Sequence, residues 1–162
     1  MDEHTRDSSV DPPPLGRSPT GWLPEEDRWE HDTLRRAVVH GVRLFNAGDF
    51  HESHDCFEDE WFNYGHGTLE RDFLQGMVQV AAGVHKYEEY DSQEGLRRLF
   101  RTGRGYLEDA PADFYGVDVD ELRQAVESTL AEPVQYEGFQ IILDGRNPTA
   151  REEDVAYAEA LP

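Results

Sequence analysis

Leu69-Glu70-Arg71-Asp72-Phe73-Leu74-Gln75-Gly76-Met77-Val78-Gln79-Val80-Ala81-Ala82-Gly83-Val84-His85-Lys86-Tyr87 carries apolar side chains round most of a helical circumference. Leu69, Phe73, Met77, Val80, Val84 and Tyr87 form one stripe, and Leu74, Val78, Ala81 and Ala82 form a second. Only Asp72, Gln75, Gln79 and Lys86 are left as a narrow polar edge. A surface helix needs one apolar stripe, so a helix with two lies at the centre of its bundle. Thr68 is placed to cap this helix, which is expected to reach Tyr90. Gly76 and Gly83 cost helix propensity but admit a close neighbour. The preceding helix is the expected neighbour.

Working outward, a first helix is expected over 25–47, from the spacing of Leu34, Ala37, Val38, Gly41, Val42 and Phe45, ended by Gly48. A second, carrying the stretch Phe50–Trp61, is capped by Asp49 with Glu52 as a capping-box pair and is broken by Gly65-His66-Gly67. On it Phe50, His54, Phe57, Glu58, Trp61 and Tyr64 share the face read as inward, while Glu52, Asp55 and Asp59 point away. Cys56 falls on the polar side as a bystander thiol. Gly65-His66-Gly67 breaks the chain before the central helix. A fourth helix is expected over Gln93–Leu107, and a fifth begins at Asp118, paired with Glu121 in a capping box, and is closed by Pro133. Phe139–Leu143 before Asp144-Gly145 reads as extended chain clamped on the bundle, and Thr149 with Glu152 starts a last short helix. The fold class is therefore all-α, a small bundle of five to six helices with a short extended segment near the C-terminus. Residues 1–24, with Pro12-Pro13-Pro14 and little apolar content, read as a flexible tail in which Trp22 and Leu23 stand exposed. Residues 25–132 form the bundle and 133–162 an extension packed on it.

Thirty-five acidic against fifteen basic residues give a formal charge of −20, and fourteen of the fifteen are Arg, with Lys86 the sole lysine. Such a surface repels nucleic acid and anionic lipid, whose binding needs Lys and Arg to neutralise phosphate. The acid-rich, lysine-poor composition resembles that of proteins from extreme halophiles, haloarchaea in particular. One cysteine excludes an intrachain disulfide, no apolar run approaches a membrane span, and the acidic, Pro-rich start is unlike a signal peptide. A cytoplasmic setting follows as the expectation.

The order of motifs resembles the domain-of-unknown-function 309 family. Phe45-Asn46-Ala47-Gly48-Asp49-Phe50 leads into H-x-x-x-E-x-x-W at His54, Glu58 and Trp61. Arg71-x-Phe73-Leu74-Gln75-Gly76-x-x-Gln79-x-Ala81 follows, then Leu99, Leu107 and the Gly116-Val117-Asp118 turn. The resemblance covers about residues 34–130 and implies an all-α bundle of about five helices without an established activity.

His51, His54, Glu58, Trp61, Gln75 and Gln79 are the expected polar cluster, buried between the second and third helices. A His and a carboxylate one turn apart can address one metal ion, and His85 is the candidate third ligand. Helix three otherwise offers glutamine, a poor ligand, so no cofactor is expected and a metal ion is the alternative. Three readings stand side by side. The cluster locks helix register; it is an acid–base pair lacking an identifiable nucleophile; or it is a metal site of a hydrolase or oxidase. The first reading is preferred, in a non-catalytic binding or interaction module. Arg97, Arg98, Arg101 and Arg104 line the fourth helix as an anion or partner patch, with pairing to the chain's own carboxylates as the plain explanation. The partner expected is protein or small molecule, including a second copy in a homodimer, with no nucleic acid and no membrane.

Overall fold

The computed structural model describes residues 18–132 and 138–162. The expectations placed on 1–17 and on Pro133 lie outside the described residues. The described residues form an all-α bundle of six helices with two small strand pairs.

Trp22–Leu23 (β1) pairs antiparallel with Arg28–Trp29 (β2), Trp22 opposite Trp29 and Leu23 opposite Arg28. The indole rings meet edge to face at 5.0 Å, Trp29 stacks on Tyr115 at 5.5 Å, and Leu23 is buried. Residues 18–24 are thus folded onto the bundle, unlike the tail expected there. Two tryptophans and a leucine repay the ordering of so short a ribbon. With this hairpin in place and His31 extended, the first helix, α1, runs over Asp32–Asn46 and starts later than expected.

Phe50–Trp61 is α2, Leu69–Tyr90 is α3, Gln93–Leu107 is α4, Val119–Ala131 is α5 and Glu152–Glu159 is α6. Thr68 Oγ1 accepts from the Arg71 amide at 3.3 Å and Asp118 Oδ1 from the Glu121 amide at 3.0 Å, so both predicted caps form. The Asp49 side chain makes no capping bond. Burial first, then the charge of Glu52, raises the Asp49 pKa. Asp113–Phe114 (β3) and Val117–Asp118 (β4) form the hairpin that leads into α5.

α3 is central, with α2 on one side and α4 on another; α1 packs on α2, α5 on α4, and α6 lies across α1 and α2. The glycines of α3 face α4, not α2 as expected. A Cβ at Gly76 would lie 2.6 Å from Leu107 Cγ, and one at Gly83 2.8 Å from the Phe100 ring. Gly103 of α4 returns the fit: a Cβ there would sit 3.2 Å from Gln79 Cβ. Spacing showed that a neighbour comes close but not which one. Phe45, Phe57, Phe73, Phe100 and Phe114 fill the core between these helices.

The chain after 138 is clamped to α1. Asn46 donates to the carbonyls of Ile141 and Pro148, each at 2.9 Å, and accepts from the Ile141 amide at 2.7 Å. Leu143 bridges Val117, and Asp144 and Gly145 both take positive φ in a tight reversal. Arg35 holds that reversal through Asp144 and the Tyr115 carbonyl. No helix among the described residues is long and apolar enough to cross a membrane.

Candidate functional site

The buried residues of α2 are Ser53, Cys56, Phe57 and Glu60. The helix is turned from the expected orientation, because two neighbours decide it. Ser53 Oγ donates to the Gly41 carbonyl at 2.7 Å, and the Phe57 ring fills the space above Gly41, where a Cβ would lie 2.5 Å away. On the other flank α6 covers Cys56, which is therefore buried, not on the polar side as expected. Burial first, then the charges of Asp55, Asp154, Asp59 and Glu52, push its pKa up to about 12. A thiol held protonated is a poor nucleophile.

His54 and Glu58 are left at the edge of the packed face, with side chains 24% and 48% exposed, and His51 is exposed. The buried polar cluster expected of His51, His54, Glu58, Gln75 and Gln79 does not assemble. Gln79 packs against Gly103 of α4, and neither Gln75 nor Gln79 hydrogen-bonds to the motif among the described residues. His54 lies between two carboxylates, Nδ1 3.1 Å from Asp55 Oδ1 and Nε2 3.2 Å from Glu58 Oε2. His51 stacks beside it at 6.2 Å, and His85 of α3 comes within 5.5 Å of His51. So His85 does reach the motif, through His51. Among the described residues no group of three or more His, Cys, Asp or Glu side chains is placed to hold a metal ion. Pairs this exposed bind weakly. Trp61 is covered by the Arg71 guanidinium, 3.8 Å above its ring, while Arg71 Nη1 donates to the Tyr64 carbonyl at 2.6 Å.

The carboxylate of the motif that is buried is Glu60, two residues from the one singled out. Its Oε1 accepts from Thr33 Oγ1 at 2.6 Å and Tyr64 Oη at 2.8 Å, and Oε2 from Asn63 Nδ2 at 3.2 Å. Glu30, His31 and Glu70 are buried as well. Burial raises the pKa of Glu70, with the charge of Glu30 adding to it. The readable signal was Glu60's place on the Phe57 face, one turn before Tyr64. These groups tie α1 to the end of α2 and serve the fold.

The arginines of α4 are the departure from the plain explanation. Arg104 Nη1 lies 3.3 Å from Glu127 Oε1. Arg97, Arg98 and Arg101 are exposed, and none has an ion pair, hydrogen bond or ring contact through its side chain among the described residues. Elsewhere the chain uses its arginines. Arg28, Arg35, Arg43, Arg104, Arg123 and Arg151 pair with carboxylates, and Arg36 and Arg71 cover aromatic rings. Arg146, in the C-terminal reversal, is the other one without such a partner among the described residues.

Residues 38–99, from the middle of α1 into α4, match the model of a family described as Domain of unknown function (DUF309). No curated protein matches the chain.

Proposed function

We propose that this protein is a non-catalytic interaction module whose α4 arginine face engages an acidic protein surface. The observation that carries the reading is the set Arg97, Arg98 and Arg101, exposed and without a side-chain partner among the described residues in a chain of formal charge −20. With carboxylates in such excess, three adjacent guanidinium groups left without one are a surface kept open. The planar fork of Arg matches a carboxylate through two parallel hydrogen bonds. Nucleic acid fits less well, because a polyphosphate brings one charge per roughly 1.7 Å of duplex against a strongly negative molecule. The test is a titration of labelled poly-L-glutamate with the full chain near physiological ionic strength. Wild type is expected to bind, and an R97E/R98E/R101E variant to bind at least tenfold more weakly, while R146E behaves as wild type. Equal binding by wild type and the triple variant would overturn the reading.

A further inference from the structure

We infer that α6 is a hinged lid over the Cys56 thiol, undocking as a unit from α1 and α2 while α1 to α5 stay folded. This device is independent of the α4 arginine face. Cys56, the single cysteine of the chain, is buried in α2 beneath α6. Asp154 and Tyr157 of α6 lie close enough to interact with it electrostatically. The manner of docking sets α6 apart from the other helices. The one residue it buries is Asp154, a carboxylate, while Val155 and Ala156 are exposed and Tyr157 and Ala158 are half-buried. A surface helix is ordinarily held by an apolar stripe. Here a charged group takes that place.

Asp154 Oδ1 lies 2.6 Å from His40 Nδ1 and 3.5 Å from Arg43 Nη1 of α1, and Oδ2 accepts from the Arg151 amide at 2.7 Å, closing the first turn of α6. The His40 ring stacks on Tyr157 at 4.1 Å, and the Arg36 guanidinium lies 5.5 Å from the centre of the same phenol ring. Each of these polar groups regains water when α6 leaves, so the docked state holds a small net advantage over the open one. An eight-residue helix is marginal in water, so docking and helix formation are lost together. The hinge follows from what holds the chain before it. Asn46 fixes the chain to α1 through Ile141 and Pro148. Residues 147–151 carry no helix or strand, and Thr149 is exposed. Rotation after Pro148 therefore carries α6 away with the Asn46 clamp intact, and the surface it leaves opens on Cys56. Openings of this size, confined to one element, are a general property of native proteins.

Reaction of Cys56 with a chromogenic disulfide reagent, followed on the full chain over urea concentrations below the unfolding transition, tests the lid. Wild type is expected to react more slowly than the urea-unfolded chain, at a rate that barely changes with urea, because opening α6 exposes little surface and global unfolding exposes much. Asp154→Ala removes the clamp from the side of α6, and His40→Ala removes it from the side of α1. Each is expected to speed the reaction at least about tenfold in a chain whose circular dichroism still reports a folded bundle. Glu159→Gln, exposed at the end of α6, is the control and should react like wild type. Amide exchange on wild type locates the opening: α6 amides should exchange by the same urea-insensitive route, and α3 amides only through global unfolding. If a clamp variant fails to fold, the wild-type urea slope and exchange pattern decide the matter. A wild-type rate that climbs with urea as steeply as the unfolding equilibrium, a rate equal to that of the unfolded chain, or folded clamp variants that react at the wild-type rate would each overturn the inference.

Discussion

Glu58 and Glu60 stand two residues apart on one helix and live in different media. Glu58 reaches solvent and pairs with His54, at 3.2 Å. Glu60 is buried and gathers hydrogen bonds from Thr33 of α1 and from Asn63 and Tyr64 in the turn after α2. Truncating Glu60 removes a buried acceptor from the hydroxyls of Thr33 and Tyr64 and from the Asn63 amide, whereas truncating Glu58 loses one exposed pair. Glu60→Ala is therefore expected to cost about 2–3 kcal/mol in urea unfolding, and Glu58→Ala at most about 1 kcal/mol. The reverse order would show that the wrong carboxylate has been assigned to the core. His54→Ala belongs with Glu58 in this respect, and its effect on stability should be equally small.

At the scale of elements, what was legible followed from each helix considered alone. The centrality of α3 could be read because its two apolar stripes need neighbours on both sides, whatever those neighbours are. The caps at Thr68 and Asp118 were legible because an N-cap is a contact within three residues. The face of α2 was not, since its orientation is fixed by Gly41 of α1 and by α6, more than ninety residues along the chain. An aromatic count favours the Phe50–Trp61 side, but Trp61 is roofed by Arg71 and lies only partly inside. The same limit applied to Gly76 and Gly83, which advertise a close approach without saying by which helix. The β1–β2 ribbon left no periodic trace in so short a stretch, and its tryptophans were the only clue that it docks. The arginine patch was visible as a spacing. That three of its members meet no carboxylate among the described residues could not be seen without the positions of the acids around them.

At the scale of the whole molecule, buried acids that hold their protons set an alkaline limit. Burial, first of all causes, raises Cys56 and Tyr157 to about 12, and raises Tyr64 and Tyr115 beyond that. Unfolded chains release these protons near 9.0 for the thiol and 10.0 for the phenols. Above pH 9 the native state therefore binds more protons than the unfolded state, and stability falls as pH rises. Below that value these four groups contribute no slope. The expected record is a denaturation midpoint that is flat on their account up to about pH 9 and declines toward pH 12. Three of the seven tyrosines should ionise only as the fold is lost. Free titration of all seven near their ordinary value, with helix content intact, would contradict the burial on which this rests.

Salt acts on the same molecule through its surface. Fifteen basic residues can neutralise at most fifteen of the thirty-five acids, and the surplus of twenty is repulsion that no pairing within the chain relieves. Adding salt weakens exposed pairs such as Arg28 with Glu26, but each of those contributes at most about 1 kcal/mol. It also screens the surplus, whose range shrinks from about 10 Å at 0.1 M to about 3 Å at 1 M. The second effect dominates because the unpaired acids outnumber the pairs. The thermal midpoint is thus expected to rise from dilute buffer to molar KCl. A midpoint that is unchanged or lower in molar KCl would mean that the pairs, not the surplus charge, govern the stability of this acidic bundle.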